Sequence, residues 1–152
     1  MQISLTQKIQ CLAFLAGGLL PLAFAPLQWT PLALLSPAFL LWGLQETNSK
    51  SSTLKLCFYF GLACFGVGVS WIFVSIHQFG QSPVALAGLL TFGFVCFLSL
   101  SFVILGFLFK KCHQYRHRSF LTYIFFPSLW VLLEWGRSSL GTGFPWLLIG
   151  YS

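Results

Sequence analysis

Long apolar runs, separated by short polar segments, organise this chain of 152 residues. A helix needs about 20 mainly apolar residues to cross a hydrocarbon core of about 30 Å. The pattern predicts an all-α polytopic membrane protein that forms one transmembrane domain, residues 1–152. Its five transmembrane helices are expected near residues 9–27, 31–45, 56–76, 84–109 and 120–140.

The second apolar run is the shortest, and Pro37 interrupts it. Pro21, Pro26 and Pro31 place a turn before it, because proline lacks a backbone donor and breaks a helix. A run this short falls below the usual spanning length. A hairpin that enters the membrane and returns without crossing therefore stays open as an alternative for this run.

Composition supports the membrane assignment. Hydrophobic residues make up 57% of the chain and charged residues only 7%, whereas soluble domains carry roughly a quarter charged residues. The net charge of +6 would suggest a nucleic-acid partner in a soluble protein. Here the cations lie between the apolar runs, and no basic helix with interleaved polar residues is present. The expected partner is the lipid bilayer, and no nucleic acid is expected.

The positions of the cations predict the orientation of the chain. Lys8, Lys50, Lys55 and the basic cluster at residues 110–118 fall on one side if every apolar run crosses the membrane. On the other side, Arg137 is the only basic residue. Because short loops rich in Lys and Arg stay in the cytoplasm, we expect the amino terminus inside and the carboxyl end outside.

The fifth apolar run contains two charged residues, Glu134 and Arg137. They are three positions apart, so they share one face of a helix. A charge near membrane depth is costly and indicates a functional site by default. Two interpretations stay open. The residues form either a structural ion pair near the outer interface, beside Trp135, or a pair that holds a polar or phosphate-bearing ligand.

The run that follows, residues 141–146, does not suit a helix, because Gly143 is flexible and Pro145 removes a donor. Irregular backbone at membrane depth is tolerated only where it is buried or lines a wet cavity. The run is therefore either a cavity lining or an interfacial loop anchored by Trp146. His77, the only histidine predicted outside, is either a base or phosphate contact or an interfacial helix cap.

No catalytic residue, metal or cofactor is expected in this chain. Cys112, His113 and His117 are ligand types that suit zinc, but the surrounding lysines and arginines would repel a cation, so we interpret this cluster as a topology signal. Motifs of the GxSxG, HExxH and P-loop kinds are missing from the sequence. Aspartate is also missing, and the second carboxylate, Glu46, is predicted on the cytoplasmic side.

Two longer motifs resemble those of a known family. Residues 69–80 read VSWIFVSIHQFG, and residues 129–152 read LWVLLEWGRSSLGTGFPWLLIGYS. They resemble the third-helix and fifth-helix signatures of bacterial apolipoprotein N-acyltransferases. The proline-rich turn at residues 20–31 fits the amino-terminal hairpin of that family, so the resemblance covers essentially the whole chain.

The resemblance implies an integral inner-membrane enzyme of lipoprotein maturation. Such an enzyme transfers an acyl chain from a phospholipid donor to the α-amino group of the lipid-modified amino-terminal cysteine of an apolipoprotein. The family's catalytic cysteine, glutamate and lysine belong to a nitrilase-like domain outside the membrane, and that domain is not among these residues. We therefore expect a truncated amino-terminal membrane part that supplies lipid binding and docking, and that is inactive alone.

The resemblance also implies where substrate binds. The outer-face loops would lie beneath the catalytic domain, beside the lipid entry cavity. The candidate substrate-binding residues are Trp71, His77, Phe79, Glu134, Arg137, Gly143, Phe144, Pro145 and Trp146. A non-enzymatic membrane scaffold or a transporter subunit with the same architecture is the alternative.

Overall fold

The computed structural model describes residues 5–113, 119–139 and 143–152, and these residues contain helices and no β-strand. The predicted all-α class is therefore confirmed for the described part of the chain. The helices are α1 (Leu5–Leu19), α2 (Pro31–Glu46), α3 (Lys50–Gly68), α4 (Trp71–Val74), α5 (Val84–His113) and α6 (Ser119–Ser139). Two short 3-10 segments, Leu20–Ala23 and Ile149–Tyr151, and one π-helical turn, Ser75–Phe79, complete the elements.

Three helical stretches in the described part are long and apolar enough to cross a membrane: Leu5–Ala23, Lys50–Gly68 and Val84–Cys112. They correspond to the first, third and fourth predicted spans. The second run forms α2, whose 16 residues reach about 24 Å. Five crossings and the orientation of the chain stay predictions.

The predicted third span, residues 56–76, does not form one continuous helix. Helix α3 begins six residues earlier, at Lys50, and ends at Gly68. Val69 then departs from helical geometry, with φ −123° and ψ 14°, before α4 and the π-helical turn begin. Glycine is a poor helix former, and the glycine-rich end of α3 explains why the helix stops inside the apolar run.

Helices α1 and α3 approach each other closely through a glycine. A Cβ atom added to Gly17 would collide with the backbone carbonyl of Phe60, so only glycine permits this contact. Helix α2 is tied to α1 by a buried hydrogen bond, in which the Ser36 hydroxyl donates to the carbonyl of Ala16 over 2.7 Å. These contacts fix the amino-terminal three helices as a unit.

Helices α3 and α5 pack in the same way, and α6 joins them through aromatic rings. A Cβ atom at Gly61 would meet Ser99 and Phe102 on α5 at 2.9–3.0 Å. The ring of Phe102 lies 5.0 Å from that of Phe60 and 5.1 Å from that of Trp130 on α6. Edge-to-face arrangements of this kind are favourable for aromatic pairs. Helices α3, α5 and α6 therefore form the aromatic part of a core that also includes Ala13 of α1 and Leu40 of α2.

A polar cluster lies at the other end of the helices, away from Gly68. The hydroxyls of Thr47 and Thr53 lie 3.2 Å apart, and the Lys110 ammonium donates to the carbonyl of Thr47. This bond satisfies a carbonyl at the end of α2 that has no partner within its own helix. Of the cluster interpreted as a topology signal, His117 lies outside the described residues.

We expect the substitution Gly17→Ala to lower the free energy of unfolding by about 1–3 kcal/mol, because it forces a methyl group into the Phe60 carbonyl. Thermal unfolding of the purified chain in detergent micelles measures this. The matched control is Gly88→Ala on α5, where an added Cβ meets nothing within 4 Å, and helix propensity adds up to ~1 kcal/mol of stability. Equal stability of the two variants would contradict the close contact.

Candidate functional site

The segment after α6 turns back against the helix through Gly143. Its φ of 68° lies in the left-handed region, and an added Cβ would collide with the carbonyl of Ser138. The N–H of Phe144 donates to the carbonyl of Arg137 over 2.9 Å. A glycine is therefore required where the sequence predicted the helix to break. Gly141 and Thr142 lie outside the described residues.

The guanidinium of Arg137 holds the first half of this segment. It donates to the carbonyl oxygens of Phe144, at 3.2 Å, and of Trp146. It also lies 5.2 Å from the centre of the Phe65 ring on α3, a cation–π distance. Irregular backbone away from water needs such partners, because each unpaired carbonyl is costly.

The carboxylate of Glu134 holds the second half. Its Oε1 atom accepts a hydrogen bond from the Trp130 indole over 2.9 Å and another from the backbone N–H of Ile149 over 3.0 Å. Glu134 and Arg137 thus bind opposite ends of one returning segment. These hydrogen bonds give each of the two charged residues a structural role, because both stabilise the segment at residues 143–152.

Apolar contacts fix the same segment against α3, α5 and the residue that begins α4. The Phe144 ring stands edge-on to Phe94, with centres 5.2 Å apart. Leu147 packs so closely over Gly68 that a Cβ there would collide with its side chain. The Trp146 ring lies 5.3 Å from that of Trp71. Residues from both sequence motifs are therefore in direct contact.

These contacts enclose a groove of about 550 Å³ at the carboxyl-terminal ends of α1 and α3, which we call the mouth groove. Its volume falls within the roughly 300–1,000 Å³ typical of ligand pockets. Aromatic and aliphatic side chains dominate the lining, and no charged side chain of the described residues belongs to it. The lining residues are Pro21, Leu22, Phe24, Ala25, Pro26, Leu27, Val67, Gly68, Trp71, Pro145, Trp146, Leu147, Leu148 and Tyr151.

A small cavity of about 20 Å³ lies behind the returning segment. Cys64, Ser101, Glu134 and Arg137 are among its lining residues. This volume accommodates about one water molecule, which needs several polar partners to be stable. The cavity is too small for a substrate. The mouth groove is the candidate binding site because residues of both sequence motifs line it.

The structure separates the nine predicted site residues into three groups. Trp71, Pro145 and Trp146 line the mouth groove. Gly143, Phe144, Glu134 and Arg137 hold the returning segment and do not line it. His77 and Phe79 belong to the π-helical turn, outside the lining of the groove.

The His77 side chain is hydrogen-bonded to the turn that follows it. Its Nδ1 lies 2.7 Å from the carbonyl oxygen of Ser82, so the ring N–H donates and closes the turn at residues 77–82. Its ring also lies 5.8 Å from that of Phe73. Phe79 is 84% exposed. These two residues therefore belong to a turn at residues 75–82 that does not line the groove, and Phe79 is exposed on it.

Sequence reasoning missed the residues that the proline-rich turn contributes to the groove. Leu22, Phe24 and Leu27 line it, and so does Tyr151 near the other end of the chain. The prolines indicated a turn, but no local signal indicated which side chains would face α3. Leu147 was also missed, although its contact with Gly68 is what closes the groove.

The fold and the groove define the class as a helical membrane protein with an apolar, aromatic-lined site at one end of its helices. The family model described as the apolipoprotein N-acyltransferase N-terminal domain matches residues 16–152. The chain belongs to this family, and the resemblance inferred from its motifs is confirmed.

Curated relatives agree with the family assignment. The apolipoprotein N-acyltransferase of Coxiella burnetii is 44% identical over 141 residues, which cover 93% of this chain and 29% of the relative. That of Pseudomonas aeruginosa (strain LESB58) is 43% identical over the same share of this chain and 27% of its own length. That of Methylococcus capsulatus is 44% identical over 147 residues, 95% of this chain and 28% of the relative. The chain thus spans little more than a quarter of the length of these relatives.

We expect Gly143→Ala to loosen the returning segment at a cost of about 1–3 kcal/mol, because alanine is strained at this φ and collides with Ser138. Limited proteolysis between residues 143 and 152, followed by mass spectrometry, measures the loss of order. Gly150→Ala is the control in the same segment, since its added Cβ meets nothing within 4 Å. Cleavage that is equally slow in both variants would disprove the role of Gly143.

Proposed function

We propose that this chain is the membrane part of an apolipoprotein N-acyltransferase and that its mouth groove receives the lipid substrates. The whole enzyme would transfer an acyl chain from a phospholipid to the amino-terminal, lipid-modified cysteine of an apolipoprotein. This part would supply lipid binding and docking of the catalytic domain, and not the nucleophile. The observation that carries the proposal is the groove itself, in which both family motifs and the proline-rich turn meet.

The lining of the groove favours the hydrocarbon part of a lipid over its phosphate. Arg137, the nearest cation, already donates to the carbonyls of Phe144 and Trp146. No charged side chain belongs to the described lining of the groove. A phosphate would find no charged donor there, whereas an acyl chain would find aliphatic and aromatic walls.

We further propose that five spans place the mouth groove at the outer face of the bacterial inner membrane. Lys8 and Lys50 lie at the amino-terminal ends of α1 and α3, and the mouth groove lies at the opposite ends. Trp71 and Trp146 at the groove fit an aromatic belt at a membrane interface. The lysines support a cytoplasmic amino terminus, and the tryptophans support a position of the groove at an interface.

The turn at residues 75–82 is the proposed docking surface for the catalytic domain. Phe79 in this turn is 84% exposed. The hydrogen bond between His77 and Ser82 keeps the turn compact. An apolar side chain presented on a rigid turn suits an interface between domains.

A chimeric enzyme tests the function. The aligned 141-residue part of this chain replaces its counterpart in the Pseudomonas aeruginosa relative, in cells depleted of their own apolipoprotein N-acyltransferase. We expect triacylated lipoproteins to return, detected by mass spectrometry of their amino-terminal peptides. The same relative without the segment, and the 152-residue chain alone, are the controls, and both are expected to be inactive.

A correctly inserted and abundant chimera without activity would favour the alternative, a non-enzymatic scaffold or transporter subunit. Restored triacylation by the 152-residue chain alone would contradict the proposal that it lacks the nucleophile. Measuring the abundance of the chimera in the membrane fraction separates loss of function from loss of protein.

Substitutions of the groove tryptophans test the site within the active chimera. We expect Trp71→Ala and Trp146→Ala each to reduce triacylation by about tenfold or more, equivalent to ~1.4 kcal/mol of lost binding, because each removes an aromatic wall of the groove. The control is Trp135→Ala on α6, a residue that is 67% exposed and does not line the groove. Equal activity of all three variants would rule out the groove as the lipid site.

A further inference from the structure

A second groove lies on the outer surface of the helix pair α1 and α3. It has a volume of about 490 Å³ and runs between residues 14–19 of α1 and residues 62–67 of α3. Every lining residue is a leucine, a phenylalanine, a valine, an alanine or a glycine. We call it the α1–α3 groove. It has the size of a ligand pocket but offers no polar side chain.

The α1–α3 groove continues directly from the mouth groove. Val67 lines both of them, and Leu19 in the α1–α3 groove is followed two residues later by Pro21 in the mouth groove. The mouth groove carries irregular backbone, two indole rings and Tyr151, which provide polar groups. Together the two grooves form one path that is partly polar at one end and wholly apolar at the other.

Small residues keep the α1–α3 groove open. An added Cβ at Gly66 would meet nothing within 4 Å, and one at Gly18 would only touch Ala63 and Val67 at 3.8–3.9 Å. The two helices are in contact at Gly17 and Phe60. The groove therefore lies over a close helix contact, and its space does not result from loose packing.

We propose that one acyl chain of a membrane glycerophospholipid runs along both grooves, with its far end in the α1–α3 groove and its ester-linked first carbons in the mouth groove. The inference rests on the proposed function and names the binding site within it. The polarity of the path matches an amphiphile of this kind.

Photolabelling of the chimeric enzyme tests this proposal without requiring catalysis. The probe is phosphatidylethanolamine with a diazirine in the middle of one acyl chain, placed in nanodiscs of phosphatidylethanolamine and phosphatidylglycerol. After irradiation, mass spectrometry locates the labelled residues. Leu89 and Phe97 on α5 are 68% and 67% exposed and report labelling by bulk lipid. We expect labelling at residues 14–19 and 62–67 about tenfold above that background, as for a specific site.

Filling the groove supplies the decisive variant. Gly66→Leu should fold normally, because its side chain enters open space and leucine favours a helix, and it should reduce the specific labelling about tenfold. Gly93→Leu on α5 is the matched control, since an added Cβ at Gly93 also meets nothing within 4 Å. We expect it to leave the labelling unchanged.

The outcomes separate this proposal from the proposed function. Two results would overturn the acyl-chain site. One is an active chimera in which residues 14–19 and 62–67 are labelled only at background, as a covering helix would cause. The other is labelling that Gly66→Leu does not change. An inactive chimera with labelling that Gly66→Leu abolishes would support the acyl-chain site while the acyltransferase proposal fails. Circular dichroism of each variant confirms that the helices are retained.

Discussion

The returning segment at residues 143–152 depends on two charges that satisfy its backbone. Arg137 donates to two carbonyls near its beginning, and Glu134 accepts the N–H of Ile149 near its end. Without these bonds an irregular segment at the ends of apolar helices would expose unpaired polar groups, which a membrane environment does not tolerate. The position of Trp146 beside Trp71, and hence the mouth groove, follows from this support.

Those two charges are themselves positioned by the aromatic core. Trp130 is buried against Phe60 and Phe102, and its indole N–H donates to Glu134. Arg137 rests over the ring of Phe65 on the neighbouring helix. Because aromatic rings pack in few arrangements, core packing orients the side chains of Glu134 and Arg137 toward the returning segment. The close contacts at Gly17 and Gly61 keep the helices near enough for this to occur.

The sequence predicted the parts of this structure that depend on one-dimensional pattern. Apolar runs located the helices, and the helix break at Gly143 was visible from its neighbours. The end of α3 at Gly68 and the lining of the groove by Leu22 and Tyr151 were not visible, because both depend on contacts between distant segments. Glu134 and Arg137 were recognised as exceptional from their cost in an apolar helix, but their partners are backbone groups, which no residue pattern specifies.

The hydrogen-bond partners of Arg137 explain why the mouth groove carries so little charge. A guanidinium that donates to two loop carbonyls and stacks on Phe65 has fewer donors left for a ligand. Arg137 thus stabilises the wall of the groove without placing its charge in the interior, which is lined by aromatic and aliphatic surfaces. Such a site distinguishes ligands by hydrocarbon shape more than by head-group charge, since apolar burial has no directional requirement. Any selection among head groups would then have to come from surfaces outside the groove lining.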